Sequence, residues 1–148
     1  PQVRAAITIP LIAAGGIASA EQVNALLAMG AAGVSVGTAL LTTAESSACD
    51  AHRYYAEFGT ACDTVLTRIY NGRLSRVLRN ALVEALDDWE LMTAGYPAQK
   101  ALMGPLDRCA SEVGRNDLVM LPLGQSAGRS AYRRTADCVH ALFPRRAD

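Results

Sequence analysis

Charge of either sign is balanced away: 14 Lys and Arg residues meet 14 Asp and Glu, so the 148-residue chain carries no net charge. It therefore has no global electrostatic handle for a polyanion. The pairs Arg133-Arg134 and Arg145-Arg146, without interleaved aromatics, are too few for a nucleic-acid surface. Aromatics are scarce at 5%, so any core is built from small aliphatics. No run approaches the roughly 18 apolar residues of a membrane span, which predicts no membrane partner. The four cysteines, Cys49, Cys62, Cys109 and Cys138, form no C-x-x-C pair that could seed a zinc site. Four reduced thiols in a cytoplasmic protein are the expectation, since a chain this apolar needs no disulfides. The sequence opens at Pro1, with neither a Met nor the charged-then-apolar build of a signal peptide. It reads as a piece of a longer soluble protein.

What is present is a half-apolar chain (51%) with room for one domain. Ile7-Thr8-Ile9-Pro10 leads into Leu11-Ile12-Ala13-Ala14, and Gly15-Gly16 stops the run. Its shortness and its turn boundary suit a strand buried on both faces. Ser19 with Gln22 three positions on predicts a capping box. Val23, Leu26 and Leu27 keep helical spacing to Met29, where Gly30 ends the helix. Gly33-Val34-Ser35-Val36 is a second short strand, halted by Gly37-Thr38. Strand, helix, strand makes a parallel, right-handed crossover.

Downstream, Thr38 to Leu41 starts a short helix, Thr42 to Ser47 is a polar loop, and Asp50 to Phe58 is helical. Thr64 to Ile69 alternates β-branched and polar residues before the Asn71-Gly72 turn. Leu78, Leu82, Leu86 and Trp89 predict one long helix over 74–92, with Trp89 in the core. Arg73, Arg76 and Arg79, at three-residue steps, would share one helical face that could pair with an anion, although such a row is more often simply solvated. Residues 98–113 read as a helix interrupted at Gly104-Pro105, and a last helix runs over roughly 130–142. The divisions that follow are 1–60 (final βα units), 61–128 (a helical segment packing on them) and 129–148 (a terminal helix and tail).

Two glycine stops carry the chemistry. Ligands of parallel α/β sheets gather beyond the carboxyl ends of the strands. In eight-stranded barrels the last two such loops often bind phosphate. Glycine lets the main chain approach a phosphate and present N–H groups. A helix starting at Thr38 would add its positive end and a hydroxyl. Each pair alone is an ordinary βα turn; the adjacency of two favours phosphate.

The run Ile9 to Ile17, then Ala31 to Thr38, resembles the FMN-dependent nitronate monooxygenases, also called 2-nitropropane dioxygenases. So do Asp63 to Arg68, Gly72-Arg73 with Arg76 to Asn80, Tyr96-Pro97, and Gly124-Gln125-Ser126-Ala127-Gly128 in order. The resemblance covers nearly the whole chain and is loosest between Ala44 and Ala61. It implies an α/β fold: the last two βα units of a TIM barrel, then a mostly helical C-terminal region. It also implies non-covalent FMN, with Gly16, Ser35, Val36, Gly37 and Thr38 at its phosphate and Gly15 adjacent. Ser35 stands where the family commonly has Gln; Gln125 is a weaker candidate for the rim. The implied reaction is oxidation of a nitronate by O2 to a carbonyl compound and nitrite.

The family's catalytic base is a histidine preceding the first strand seen here. Neither His52 nor His140 lies in matching context, and surface or boundary roles are expected for both. No catalytic residue and no metal site is assigned; Cys49 and His52 share a helix turn, but two ligands are not a site. The chain alone is expected to be inactive, its parent having about six more strands upstream. The runner-up is a flavin-dependent enoyl-[acyl carrier protein] reductase, which shares both glycine motifs. A non-catalytic truncated remnant, binding a phosphorylated ligand or nothing, is a third reading.

Overall fold

Ser19 and Gln22 open the helix around which the N-terminal part of the chain is organised. The Ser19 hydroxyl accepts from Gln22 N at 3.4 Å, while Gln22 Oε1 accepts from Ser19 N at 3.1 Å. That reciprocal pair satisfies two of the N–H groups a helix start leaves orphaned. In this computed structural model, which describes residues 1–129 and 131–144, the helix is α2 (Ala20–Ala28), preceded by α1 (Gln2–Ala6). Gly30, at φ +94°, turns the chain away just past its end, as an αL residue beyond a helix does.

The strands flanking α2 are β1 (Ile12–Ala14) and β2 (Gly33–Ser35), paired in parallel with Ile12 opposite Gly33 and Ala14 opposite Ser35. They are shorter than the runs 7–14 and 33–36 suggest. They also form a two-stranded sheet that leaves Ile12 56% exposed, which corrects the expectation of a strand covered on both faces. A Cβ at Gly33 would sit 3.2 Å from Ile12 Cδ1, the tip of an exposed side chain.

The chain folds as two units, one made of Pro1–Thr60 with the segment from Gly124 onward, the other Ala61–Leu123. In the first, a single 3₁₀ turn (Thr38–Leu40) and α3 (Asp50–Phe58) follow β2, and α6 (Thr135–Leu142) closes the unit. Its core joins Ile17, Val23, Ala39, Cys138 and Leu142. The Arg53 guanidinium pins the intervening loop through the carbonyls of Thr43, Ser46 and Ala48. Ser130 and residues 145–148, which include the Arg145-Arg146 pair, lie outside the described residues; the last helix, expected from about 130, starts only at Thr135, with Arg134 extended before it.

The second unit corrects the sequence reading most. Residues 74–92 are not one helix. Ser75–Leu78 is a strand, β4, antiparallel to β3 (Thr64–Thr67) with Val65 opposite Val77. Asn80 then caps α4 (Ala81–Leu86), its side chain accepting from Val83 N, and Asp87–Met92 tightens into 3₁₀ turns. Leu78 and Leu82 keep helical spacing only by coincidence: the polar cap between them resets the backbone. Trp89, placed in the core by its spacing, is 59% exposed. The arginine row dissolves too. Arg73 lies 3.9 Å over the Tyr96 ring, Arg76 donates to Thr64 Oγ1, and Arg79 follows the strand, exposed.

Helix α5 (Ala98–Glu112) runs through Pro105 without a break; a proline costs one i→i−4 bond, and here the helix absorbs it. Buried Gln99 ties the start of α5 to the hairpin turn, donating to Ile69 O and accepting from Ala94 N. The segment before Gly124 bonds along β4, Leu78 N to Leu121 O and Leu123 N to Arg76 O. Ile69, Tyr70, Val77 and Val83 form the core. The unit ends at Leu123 and not at 128, because Gly124 N donates to Thr38 Oγ1 and Gly128 N to Ala56 O, both in the first unit.

Candidate functional site

Both glycine turns leave the carboxyl ends of paired strands. Register places Ala14 beside Ser35, and adjacent strands lie about 4.8 Å apart, so Gly15 and Val36 start neighbouring loops. Gly15, Gly16, Ser35, Val36, Gly37 and Thr38 all line one cleft of about 220 Å³ in the first unit. All six candidates from the sequence are thus brought together.

Two more lining residues, Gly124 and Ser126, come from the far end of the chain. Gly124 N donates to Thr38 Oγ1 at 2.9 Å, and Ser126 is 2% exposed. A Cβ on Gly124 would meet Thr38 Oγ1 at 2.9 Å, so glycine is required for that approach. Gln125, the rim candidate, is exposed and is not among the lining residues; its Cβ lies 4.0 Å from where a Cβ on Gly16 would stand. Its neighbour Ser126 takes the place. The Gly-Gln-Ser-Ala-Gly motif signalled this segment, but spacing alone does not say which of its residues turns inward.

The donors in the cleft are uncharged. Ser35, Thr38 and Ser126 supply hydroxyls, and among the described residues no acidic or basic side chain lines it. The N–H groups of Gly16, Ile17, Gly37 and Thr38 are not spent on acceptors among the described residues. Gly15 and Gly16 need glycine for their backbone, at φ +98° and +69°. Gly37 does not: its φ is −119°, and a Cβ there would meet no atom within 4 Å. Bare main chain facing open space, with free amides, is the form of an anion cradle. The helix expected at Thr38 is only a three-residue 3₁₀ turn, so its dipole adds little and local amides must do the holding. The cleft is also smaller than the roughly 300 Å³ at which drug-sized pockets begin. It suits one end of a ligand, such as a phosphoryl group, which fits what an FMN phosphate requires.

The loop is held from below. Gln22 Nε2 donates to Gly16 O at 3.2 Å, and Gln22 Oε1 accepts from Ala18 N at 2.7 Å. The sequence marks Gln22 only as a cap.

The histidines are elsewhere. His52 is 8% exposed within α3, more buried than the surface or boundary role expected of it, and His140 is exposed on α6. Among the described residues no group of three or more His, Cys, Asp or Glu could hold a metal, and no helix is long and apolar enough to cross a membrane. All four thiols are free; Cys138 is fully enclosed, and burial pushes its thiol above the ordinary value. The second unit has its own cavity of about 340 Å³, whose walls include Tyr70, Tyr96 and Lys100, the sole lysine. Its Asp107 carboxylate accepts from Met120 N.

Comparison with known proteins agrees with the glycine motifs. A family model described as nitronate monooxygenase matches residues 1–142. A probable nitronate monooxygenase of Staphylococcus aureus (strain Newman) is 35% identical over 126 residues, 85% of this chain and 36% of that protein. The chain thus spans little more than a third of the curated relatives it matches. Among solved structures, nitroalkane oxidase from Streptomyces ansochromogenes is similar with TM-score 0.86 and 34% identity, over 95% of this chain and 40% of that one. FabK from Thermotoga maritima follows with TM-score 0.76 and 28% identity, over 95% and 45%. Motif order, shared fold and a match across nearly all residues lead to one statement: the chain belongs to the nitronate monooxygenase family.

Proposed function

We propose that this chain supplies the phosphate-holding part of an FMN site in an enzyme that oxidises nitronates, and that β1 and β2 are the last two strands of a TIM barrel completed by other residues of the protein. The observation that carries the reading is the convergence of two glycine turns on one cleft, with Gly37 bare toward open space for no backbone or packing reason. Gly15, Gly16 and the run Ser35 to Thr38 hold the phosphoryl group by main-chain N–H groups and hydroxyls. Thr38, whose oxygen already accepts from Gly124 N, still has its O–H to donate. Gly124 and Ser126 form the opposite wall. A bound FMN supplies the redox chemistry, oxidation of the nitronate with reduction of O2, leaving a carbonyl compound and nitrite.

None of these residues moves a proton; their work is position. His52 and His140 stand outside the cleft lining and are given no part in holding the phosphate. The test is the absorption spectrum and O2 consumption of the full natural polypeptide. Bound FMN, released on denaturation, with O2 uptake on addition of a nitronate is the expected result. A colourless protein that takes up no added FMN overturns the reading. Bleaching of the flavin by NADPH, with an enoyl thioester as acceptor, would move the assignment to the enoyl reductase that shares the glycine motifs.

A further inference from the structure

Capping needs less of Gln22 than the structure uses. A capping box requires only that the N3 side chain accept from the N-cap N–H, which Oε1 does at Ser19 N. The same oxygen also takes Ala18 N, and Nε2 reaches back six residues to Gly16 O at 3.2 Å. Three hydrogen bonds beyond its own backbone thus converge on one half-buried side chain.

The bond to Gly16 O has a geometric consequence. The carbonyl of residue 16 and the N–H of residue 17 share one planar, trans peptide unit and point in opposite directions. Anchoring the carbonyl toward Gln22 therefore aims the Ile17 N–H the other way. That N–H has no acceptor among the described residues, and both Gly16 and Ile17 line the cleft. Preceded by Gly15 and Gly16, both at positive φ, the peptide can rotate on its N-terminal side unless something fixes it.

We infer that Gln22 is a positioning residue for the cofactor phosphate: it latches the Gly16–Ile17 peptide so that the Ile17 N–H is presented to the phosphoryl group. The inference rests on the FMN reading above and adds to it a residue outside the cleft lining. The latch works through orientation, so its loss falls on phosphate recognition and spares the rest of the flavin.

FMN and riboflavin, which differ only in the phosphate, separate these effects. Both are titrated by flavin fluorescence into the full natural polypeptide stripped of cofactor. Gln22→Glu keeps an acceptor for the Ser19 and Ala18 N–H groups but faces Gly16 O with an oxygen. Gln22→Met removes donor and acceptor without adding charge. The wild type is expected to prefer FMN, and both variants to lose about five- to tenfold of that preference, the scale of one oriented hydrogen bond, with riboflavin affinity unchanged. Wild-type preference retained in both variants, or lost only in Gln22→Glu, where added charge is then the cause, overturns the latch and leaves the cradle standing. A wild type that binds the two flavins equally overturns the cradle, and the latch with it.

Discussion

At the scale of single residues, glycines with similar surroundings in sequence do different work. Gly72, at φ +79°, would drive any Cβ it carried into Ala94 O, so it is fixed by the fold. Gly37 is constrained by neither backbone nor neighbours. Gly37→Val is therefore expected to leave thermal stability within about 0.5 kcal/mol of wild type while weakening FMN binding about tenfold or more by filling the cradle. Melting curves and flavin titration on the same preparation check this. Normal FMN binding by the Gly37→Val variant would show that the open space serves no ligand.

Among elements, the β3–β4 hairpin and α4 are joined by one polar network. Tyr70 Oη donates toward Asn80 Oδ1 at 2.9 Å and Val119 O at 3.2 Å; Asn80 Nδ2 donates to the same carbonyl, and Asn80 Oδ1 accepts from Val83 N. Burial pushes the Tyr70 phenol above its ordinary value; the Asn80 bond works against that shift, and the Asp107 carboxylate adds to it. The fold therefore holds the neutral phenol. Its contribution is whole below the unfolded value, about 10, and is lost as pH rises through the higher native value. Urea unfolding of the full natural polypeptide, followed by far-ultraviolet circular dichroism, should show stability falling above about pH 10. Tyr70→Phe should cost about 1 kcal/mol at neutral pH and flatten that alkaline fall; an equally steep fall in the variant would assign it to other groups.

The same elements show what was legible and what was not. The βα turn, the capping box, Gly30 and the helix over 50–58 follow from local pattern, because each is decided within a few residues of chain. The strand at 75–78 does not. Its leucine spacing continues into a helix on paper, and only pairing with β3 on one side and residues 121–123 on the other makes it extended. Pro105 errs the other way: a local breaker is overruled by the helix around it.

On the scale of the whole molecule, the first unit leaves apolar side chains and strand edges open. Ile9 and Ile12 are 68% and 56% exposed, and β1 and β2 have three residues each in a sheet of two. A two-stranded sheet is marginal in water, and free edges invite association. The 148 residues expressed alone are expected to elute in size exclusion as aggregate and to retain no flavin. A monomeric, cooperatively melting, yellow fragment is the contrary result.

Local pattern was enough for the two glycine turns, the helix between their strands and the family they belong to, since those depend on backbone freedom and on spacing over some thirty residues. Compaction of the chain was needed to bring Gly124 and Ser126 to the same cleft from more than eighty residues away, to set Gln22 against Gly16, and to make 74–92 strand, cap and helix. Such contacts are settled by which surfaces meet as the chain folds, and residue spacing carries no record of that.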